Sequence, residues 1–262
     1  MHNKVFGLIG NPIKHSFSKI YFEEKFRRLG ITDCEYKLFE LKSINELPQL
    51  LESEPNLQGF NVTSPYKTSL EKYLISSTIT TQFIGAVNTV RINDGKLFGY
   101  NTDWIGFLNS LKSQIDITKI HSALVLGTGG AASAVKYALG TQQINCKSAT
   151  TKDISWTRLP LLPYGEDVIS YKDLNKLDNL DMFDLIVNAT PCGMEHIEPL
   201  KEFPYQNITS KHIVFDLIYN PEETYLLSRA RKNGAKTING LGMLYLQADE
   251  SWKIWTGTGK LL

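Results

Sequence analysis

Short apolar runs alternate with amphipathic stretches along most of the chain. Residues 5–9 form a run that is typical of a buried strand, whereas residues 19–29 have helical spacing and stop at Gly30. Strands that alternate with helices in this way indicate a mostly parallel sheet. We predict further strands at residues 36–41, 57–62, 86–92, 96–100, 144–149, 185–188, 213–216 and 236–238, and further helices at 44–51, from 101 onward, at 224–232 and at 242–255.

Two local signals refine this pattern. Asn93-Asp94-Gly95 lies between apolar strands, and an Asp-Gly pair there predicts a hairpin. Ser64-Pro65 predicts a helix start, with Ser as the N-cap and Pro at the first helical position. Lys67 would then lie in the first helical turn, where the helix dipole destabilises a cation and favours proton donation.

The pattern of residues 122–139 predicts a strand, a glycine turn and a helix, in that order. The spacing Gly127-x-Gly129-x-x-Ala132 fits the dinucleotide fingerprint, which accepts alanine at its third small position. Gly127 permits the tight turn, and Gly129 has no Cβ to hold a pyrophosphate away from the backbone. The helix N-terminus then offers N–H groups and partial positive charge to phosphates. We therefore predict a nucleotide-binding domain that begins near this stretch.

Composition excludes several classes of function. The chain has 262 residues and a net charge of +1, which gives no bias toward nucleic acid or an anionic membrane. No apolar run is long enough to span a bilayer, and the N-terminal run is too short for a signal peptide. The three cysteines and five histidines show no disulfide or metal-ligand spacing. We expect a cytoplasmic protein without a metal, a nucleic-acid partner or a membrane partner.

The candidate chemistry lies at the carboxyl ends of the predicted strands, where open α/β sheets bind ligands. Lys67 could be a proton donor or a solvated surface lysine. Asp103 could hold that lysine charged and oriented, or it could simply cap a helix. For the other polar candidates the alternatives are ordinary turn, cap, surface or packing roles. They are Ser16, Ser18, Asn61, Asn88, Tyr219 and Gln247.

The stretch after the second strand of the nucleotide domain bears on the choice of cofactor. NAD-specific sites usually carry an acidic residue about 20 positions beyond the glycine turn. Residues 144–152 contain no carboxylate, and Ser148, Thr150 and Lys152 could instead donate hydrogen bonds to a 2′-phosphate. This favours NADP.

Taken together, the motifs resemble the shikimate dehydrogenase family over essentially the whole chain. The matching segments are Gly10-Asn-Pro-Ile-Lys-His-Ser-Phe-Ser18, Gly59-Phe-Asn-Val-Thr-Ser-Pro-Tyr-Lys67, Gly85-Ala-Val-Asn-Thr89, Gly99-Tyr-Asn-Thr-Asp103, Gly127-Thr-Gly-Gly-Ala131, Asn188-Ala-Thr-Pro-Cys-Gly-Met194, Asp216-Leu-Ile-Tyr219, Gly240-Leu-Gly-Met-Leu-Tyr-Leu-Gln247 and Trp255-Thr-Gly257.

The resemblance implies reversible NADP-linked reduction of 3-dehydroshikimate to shikimate, a step of aromatic amino-acid biosynthesis. It implies that Ser16, Ser18 and Tyr219 hold the substrate carboxylate and that Lys67, with Asp103, is the catalytic proton donor and acceptor. The hydroxyl face would be bound by Asn61, Thr63, Asn88, Asp103 and Gln247. The cofactor would be bound by Gly127, Thr128, Gly129, Gly130, Ala131, Ser148, Thr150, Lys152, Asn188, Ala189, Thr190, Leu217 and Gly240.

The resemblance also implies an α/β fold of two domains. The first, residues 1–102 completed by 240–262, would be a mostly parallel α/β substrate domain to which the C-terminal helix returns. The second, residues 103–239, would be a Rossmann-type NADP-binding domain. The family's cofactor domain usually carries an arginine after its second strand, whereas residues 144–152 contain none, and a lysine is not an equal replacement for the planar fork of arginine. We therefore expect only a modest preference for NADPH over NADH. Two alternatives stay open: a quinate/shikimate dehydrogenase with relaxed cofactor use, and a non-catalytic ligand sensor on the same fold. A homodimer is possible.

Overall fold

The computed structural model describes residues 4–14, 16–151, 167–176 and 180–258. The chain divides into two compact units, one formed by Met1–Thr102 with Gln247–Leu262 and the other by Asp103–Leu246. The predicted fold class, α/β with two domains, is confirmed. The chain returns to the first unit at Gln247, in the middle of a helix, whereas we expected the return at residue 240.

The first unit contains a six-stranded mixed sheet in the order β2-β1-β3-β5-β6-β4. β1 pairs in parallel with both β2 and β3, and the ladder turns antiparallel at β3–β5 and β5–β6. The elements are β1 (Lys4–Gly10), α1 (Ser18–Leu29), β2 (Cys34–Glu40), α2 (Leu47–Ser53), β3 (Leu57–Val62), β4 (Ser76–Ser77), α3 (Ile79–Ile84), β5 (Thr89–Asn93) and β6 (Lys96–Tyr100), with 3-10 turns at Ile44–Glu46 and Leu70–Tyr73.

The predicted hairpin is confirmed. β5 and β6 pair through Asn93 and Lys96, and the two residues between them, Asp94 and Gly95, have φ values of 49° and 71°. Positive φ at both central positions is the geometry of the type I′ turn, whose twist matches the flanking strands.

The predicted helix at Ser64-Pro65 is wrong. Thr63 O accepts a 3.0 Å hydrogen bond from Tyr66 N across the cis Ser64–Pro65 peptide, which is the geometry of a type VI turn. Tyr66 is buried, and its hydroxyl donates to Leu41 O at 2.6 Å. This long-range contact and the turn replace the expected first helical turn, so the dipole argument for Lys67 does not apply.

The second unit contains a six-stranded sheet in the order β12-β11-β10-β7-β8-β9, and every pair is parallel. Numbered within the unit, this is the 3-2-1-4-5-6 order of the Rossmann fold. The elements are α4 (Asp103–Gln114), β7 (Ser122–Leu126), α5 (Gly130–Gly140), β8 (Asn145–Thr150), β9 (Asp167–Ser170), α6 (Tyr171–Leu174), β10 (Leu185–Asn188), β11 (Ile213–Asp216), α7 (Tyr225–Lys232) and β12 (Lys236–Ile238), with 3-10 turns at Ile117–Lys119 and Tyr205–Asn207.

The last helix, α8 (Leu241–Thr256), begins in the second unit and ends in the first. In the first unit, Trp255 stacks on Phe6 with ring centroids 4.9 Å apart and donates from Nε1 to Val90 O at 2.8 Å. Asp249 of the same helix pairs with Lys25 of α1 and accepts a hydrogen bond from Tyr21. Packing, an indole hydrogen bond and an ion pair therefore fix the C-terminal half of α8 on the first sheet.

Lys152, one of the candidate cofactor residues, lies outside the described residues. Among the residues that the structure describes, no helix has both the length and the apolar character needed to cross a membrane.

Candidate active site

In the first unit, the carboxyl ends of β1 and β3 lie side by side. Thr63 N donates to Ile9 O at 2.9 Å, and Asn11 N donates to Ser64 O at 3.1 Å. The loop that carries Ser16 and Ser18 leaves β1 at this edge. Sequence reasoning expected ligand groups at strand ends, and the parallel pairing of β1 with β3 brings these two loops together.

Ser16 and Ser18 flank the start of α1. The Ser16 hydroxyl oxygen accepts from Ser18 N at 3.2 Å, so it satisfies one of the unpaired N–H groups of the helix start. Ser18 is buried, and its side chain hydrogen-bonds the hydroxyl of Tyr36 on β2. Ser16 therefore combines a capping contact with the position that we assigned to it from the sequence.

Asn61, one residue before the end of β3, is 4% exposed, and both the oxygen and the nitrogen of its amide are hydrogen-bonded. Its Oδ1 accepts from Tyr36 Oη at 2.9 Å. Its Nδ2 donates to Ser251 Oγ at 2.8 Å, with Thr89 Oγ1 at 3.2 Å and Asn88 O at 3.3 Å as further acceptors. The contacts to β2, β5 and α8 leave the amide only one stable orientation.

A second buried amide, Asn88, lies just before β5. Its Oδ1 accepts from Thr102 N at 2.6 Å, and its Nδ2 donates to Thr102 Oγ1 at 2.9 Å and to Gln247 Oε1 at 3.3 Å. Gln247 is 8% exposed, so the alternative of a surface glutamine does not hold. The structure thus brings together Asn61, Asn88 and Gln247, which are far apart in the sequence.

Lys67 follows the turn at the end of β3 and is partly buried. Its carbonyl accepts a 2.7 Å hydrogen bond from Val87 N, one residue before Asn88. The backbone of the lysine is therefore anchored to the segment that carries the second amide. Thr63, also partly buried, opens the same turn.

Two of the expected substrate residues belong to the second unit. Asp103 is the first residue of α4 and is 5% exposed. Tyr219 follows β11 and is partly buried. An acidic residue in the first turn also interacts favourably with the helix dipole. A purely structural role for Asp103, at the start of α4, therefore keeps its physical support.

The glycine turn has the conformation that its spacing predicts. Gly127 follows β7 with φ of +108°, and a Cβ there would lie 3.0 Å from Cγ2 of Thr190. Gly129 precedes α5, and a Cβ built on it would have no atom of the protein within 4 Å. Gly130 and Ala131 form the first turn of α5. Gly127 is thus needed for the fold, whereas the missing side chain at Gly129 leaves space in front of a helix N-terminus.

The second predicted cofactor segment adjoins this turn. β10 pairs with β7, so Asn188, Ala189 and Thr190 emerge beside Gly127 and Thr128 at the point where the strand order reverses. Asn188 Oδ1 accepts from Thr190 N at 3.1 Å and from Thr190 Oγ1 at 2.7 Å, which shapes the loop.

A buried carboxylate supports that loop from the neighbouring strand. Asp216 at the end of β11 accepts hydrogen bonds from Asn188 Nδ2 at 3.0 Å, from Ile218 N at 3.1 Å and from Thr224 Oγ1 at 2.6 Å. Burial raises the pKa of Asp216 to about 6, and the hydrogen bonds from Thr224, Ile218 and Asn188 oppose that rise.

Leu217 and Gly240 are also adjacent. A Cβ on Gly240 would overlap the carbonyl of Leu217, and Gly240 N donates to Ile218 O at 3.0 Å. Ser148 and Thr150 lie in the carboxyl-terminal half of β8 and are 3% and 4% exposed.

Comparison with known proteins assigns the family. A profile of the shikimate dehydrogenase substrate binding domain matches residues 8–90. The shikimate dehydrogenase (NADP(+)) of Methanococcus vannielii is 39% identical over 261 residues, which cover 96% of this chain and 90% of that protein. The chain belongs to the shikimate dehydrogenase family.

Solved structures of shikimate dehydrogenase relatives share the whole fold. The crystal structure of shikimate dehydrogenase from Aquifex aeolicus superposes with a TM-score of 0.85 at 38% identity and covers 97% of this chain and 93% of its own. Quinate dehydrogenase from Corynebacterium glutamicum, solved in complex with NAD, gives a TM-score of 0.85 at 28% identity and covers 98% and 95%.

Beside the residues that the shikimate dehydrogenase resemblance suggested, the structure adds four that sequence reasoning missed. They share buried hydroxyl groups in contact with Asn61 or Asn88, and they are Tyr36, Thr89, Thr102 and Ser251. Thr89 and Thr102 occur within matched segments, so proximity in sequence could have suggested them. Ser251 could have been found only from its position one helical turn after Gln247.

Among the described residues, no group of three or more histidine, cysteine or acidic side chains could hold a metal ion.

Proposed function

We propose that this chain is a shikimate dehydrogenase that reversibly reduces 3-dehydroshikimate to shikimate with NADPH, in aromatic amino-acid biosynthesis. The observation that carries the proposal is the convergence of Asn61, Asn88 and Gln247 in one buried hydrogen-bonded group of the first unit. Amides that offer both donors and acceptors suit a small substrate with several hydroxyl groups. Family membership supports the same assignment.

Two features of the second unit, its strand order and its glycine turn, suit a bound dinucleotide. The all-parallel sheet reverses its order between β7 and β10, which is where such sheets bind dinucleotides. The space at Gly129 and the N–H groups at the start of α5 suit a pyrophosphate. The remaining cofactor contacts would come from Thr128, Gly130, Ala131, Asn188, Ala189, Thr190, Leu217 and Gly240.

For the 2′-phosphate, the candidates are Ser148, Thr150 and Lys152. When bound, NADPH supplies the hydride that reduces the C3 carbonyl. Every other step rests on the side chains of the chain itself.

In the proposed mechanism, Ser16, Ser18 and Tyr219 hold the substrate carboxylate. Asn61, Thr63, Asn88, Asp103 and Gln247 bind its hydroxyl face. Charge develops on the C3 oxygen during reduction, and the ammonium of Lys67 gives that oxygen a proton. In the oxidation direction the Lys67 amine takes the proton back. General acid catalysis of this kind contributes roughly 10²–10⁴-fold, and positioning must supply the remainder.

A second candidate is a dehydrogenase that accepts quinate and NAD as well. Two observations favour keeping it: residues 144–152 lack an arginine, and a quinate dehydrogenase shares the fold over nearly the full length. A non-catalytic sensor has less support, because a ligand-binding protein has no need of the proton donor that Lys67 would be.

A spectrophotometric assay of shikimate and quinate, each with NADP and NAD, tests these assignments together. We expect kcat/KM to be highest for shikimate with NADP, and by a modest margin over NAD. Equal or better turnover of shikimate with NAD would reject the NADP preference. Efficient turnover of quinate with NAD would favour the second candidate, and no turnover of either substrate would overturn the proposed function.

The homodimer and the cytoplasmic location belong to the same proposal. Light scattering after size-exclusion chromatography would test the first, and fractionation of the source cells would test the second.

A further inference from the structure

We infer that Tyr36 and Ser251 are positioning residues for substrate binding, because they hold the side-chain amide of Asn61 in a single orientation. This inference rests on the proposed function, which makes Asn61 a substrate ligand. Neither residue lies in a segment that carried the family resemblance, and both are nearly or fully buried, at 1% and 0% exposure.

The hydrogen-bond roles at Ser251 follow from counting donors. A serine hydroxyl has one hydrogen to donate. Ser251 Oγ lies 3.0 Å from the carbonyl oxygen of Gln247, one turn earlier in α8, and a carbonyl can only accept. Thr89 Oγ1 at 2.8 Å and Thr102 Oγ1 at 3.2 Å can donate to Ser251 Oγ, whereas Gln247 O cannot, so the Ser251 hydrogen is directed to Gln247 O. The lone pairs of Ser251 Oγ then accept from Asn61 Nδ2 at 2.8 Å, and the nitrogen of the amide faces α8.

Tyr36 fixes the other end of the amide. Its Oη lies 2.9 Å from Asn61 Oδ1 and donates to it. Burial raises the pKa of Tyr36 well above 10.0, against an opposing hydrogen bond from Ser18, so the phenol keeps its proton at any physiological pH. In the reversed amide, Asn61 Oδ1 would face the carbonyl oxygen of Asn88, which cannot donate, and the hydroxyl groups of Tyr36 and Ser251 would both have to give up their present hydrogen bonds.

These contacts form one directed path of hydrogen bonds within the first unit. Ser18 donates to Tyr36, Tyr36 to Asn61, Asn61 to Ser251, and Ser251 to the backbone of Gln247. Tyr36 and Ser251, which do not touch substrate in the proposed mechanism, thus connect three proposed substrate residues. These are Ser18, Asn61 and Gln247. With both anchors in place, the second lone pair of Asn61 Oδ1 keeps a constant direction for a ligand hydroxyl.

The variants Ser251→Ala and Tyr36→Phe test the inference. Each removes one anchor, so that part of the population holds Asn61 turned away from the substrate. Because this weakens ground-state and transition-state binding alike, we expect KM for shikimate to rise about 3- to 10-fold while kcat changes less than about 3-fold. KM for NADP should stay as in the wild type. A purely structural defect would lower the active fraction without this selective rise in one KM.

Two matched controls remove buried hydroxyls that have no hydrogen-bond partner among the described residues. Ser110→Ala removes one from a helix, and Tyr171→Phe removes one from an aromatic ring. Both should keep the wild-type KM for shikimate and for NADP. Melting temperatures measured for all four variants show whether each is folded.

A double variant tests whether Ser251 affects substrate binding through Asn61. If Ser251 acts through Asn61, then adding Ser251→Ala to Asn61→Ala should change KM for shikimate by less than about 2-fold. An unchanged KM in both folded single variants would overturn the inference, and so would a full additional loss in the double variant. If only one single variant folds, its KM decides; if neither folds, the pair is structural and the inference fails. Absence of shikimate turnover in the wild-type enzyme would instead refute the proposed function.

Discussion

Lys67 is held in place by backbone hydrogen bonds and not by the helix that the sequence predicted. Its carbonyl is bonded to Val87 N, and the preceding turn is closed by the bond from Tyr66 N to Thr63 O. These two bonds connect the lysine to the strand end that carries Asn61 and to the segment that carries Asn88. A proton donor must be positioned before its pKa matters, and this arrangement meets that requirement.

The variant Lys67→Met removes the ammonium and keeps much of the length of the side chain. We expect kcat to fall at least about a hundredfold with KM for shikimate changed little, because the proton is needed in the transition state. Steady-state kinetics measure both constants. Lys42→Met, which alters an exposed lysine of the same unit, is the matched control and should keep wild-type turnover. Normal kcat in Lys67→Met would remove this residue from the mechanism.

The buried carboxylate of Asp216 connects three segments of the second unit through its hydrogen bonds. Its three partners connect the Asn188 loop, the Tyr219 segment and the N-cap residue Thr224 of α7. The pKa of about 6 exceeds the ordinary 3.8, so the folded state binds the proton more tightly than the unfolded state. The ionised carboxylate therefore lowers the free energy of unfolding as the pH rises through the interval between these two values.

Replacement by asparagine should remove that pH dependence. We expect Asp216→Asn to gain stability relative to the wild type as the pH rises from about 4 to about 7, by up to about 3 kcal/mol. Urea unfolding at several pH values measures the difference. Asp181→Asn is the contrasting control, because the hydrogen bond from Lys211 lowers the pKa of Asp181 and its effect must have the opposite sign. A pH-independent difference for Asp216→Asn would refute the assignment.

At the scale of the element, two glycines of the turn between β7 and α5 have different roles, one in folding and one in binding. Gly127 has positive φ and little space for a side chain, whereas Gly129 has φ of −84° and open space. The first glycine serves the backbone conformation, and the second serves close approach of a ligand.

Two alanine variants should therefore fail in different ways. We expect Gly127→Ala to lower the free energy of unfolding by roughly 1–3 kcal/mol, because alanine is strained at that φ. We expect Gly129→Ala to lower the melting temperature less than Gly127→Ala does, since only an N-cap preference is lost, and to raise KM for NADP about tenfold or more, because a Cβ would stand in the space for the pyrophosphate. Thermal melts and cofactor titrations distinguish them. A wild-type KM for NADP in Gly129→Ala would place the phosphates elsewhere.

Elements with a local cause were predictable from the sequence. The β5–β6 hairpin follows from Asp94-Gly95, and the strands of the second sheet follow from short apolar runs. Helix α3 was missed although Thr78 caps its start and Gly85 its end, because six residues between two short signals give little periodicity. The Ser64-Pro65 prediction failed because a buried contact from Tyr66 to Leu41 outweighed a local preference.

The candidate site divides in the same way. Motifs identified Asn61, Asn88 and Gln247, since their segments resemble a known family. The contact of the Ser251 hydroxyl with Asn61 could not be predicted, because these two residues lie 190 positions apart and meet only in the folded chain. No local pattern encodes such a contact.

At the scale of the whole molecule, the first unit needs both ends of the chain. Its closing segment supplies Gln247 and Ser251 to the amide group and Trp255 to the aromatic core. The second unit, Asp103–Leu246, is a single continuous segment.

Removal of residues 247–262 should therefore affect the two ligands unequally. We expect binding of shikimate to be lost, because the amide group and the packing of Phe6 and Phe22 are both disrupted. Binding of NADP should persist, because the proposed cofactor residues all precede the deletion. Isothermal titration with each ligand measures this. A deletion of residues 259–262 alone is the control and should bind both, whereas undiminished shikimate affinity in the longer deletion would contradict the site.

The uninterrupted course of residues 103–246 also bears on how such enzymes could be recombined. One exchange of a gene fragment with two junctions would replace the whole nucleotide module with that of another dehydrogenase. Asp103 and Tyr219, two of the proposed substrate residues, would be exchanged with the fragment. If the proposed function holds, the other dehydrogenase must therefore supply an acidic residue at the start of α4 and a tyrosine after β11. Chimeras built on this rule would inherit cofactor choice from one parent and the amides from the other.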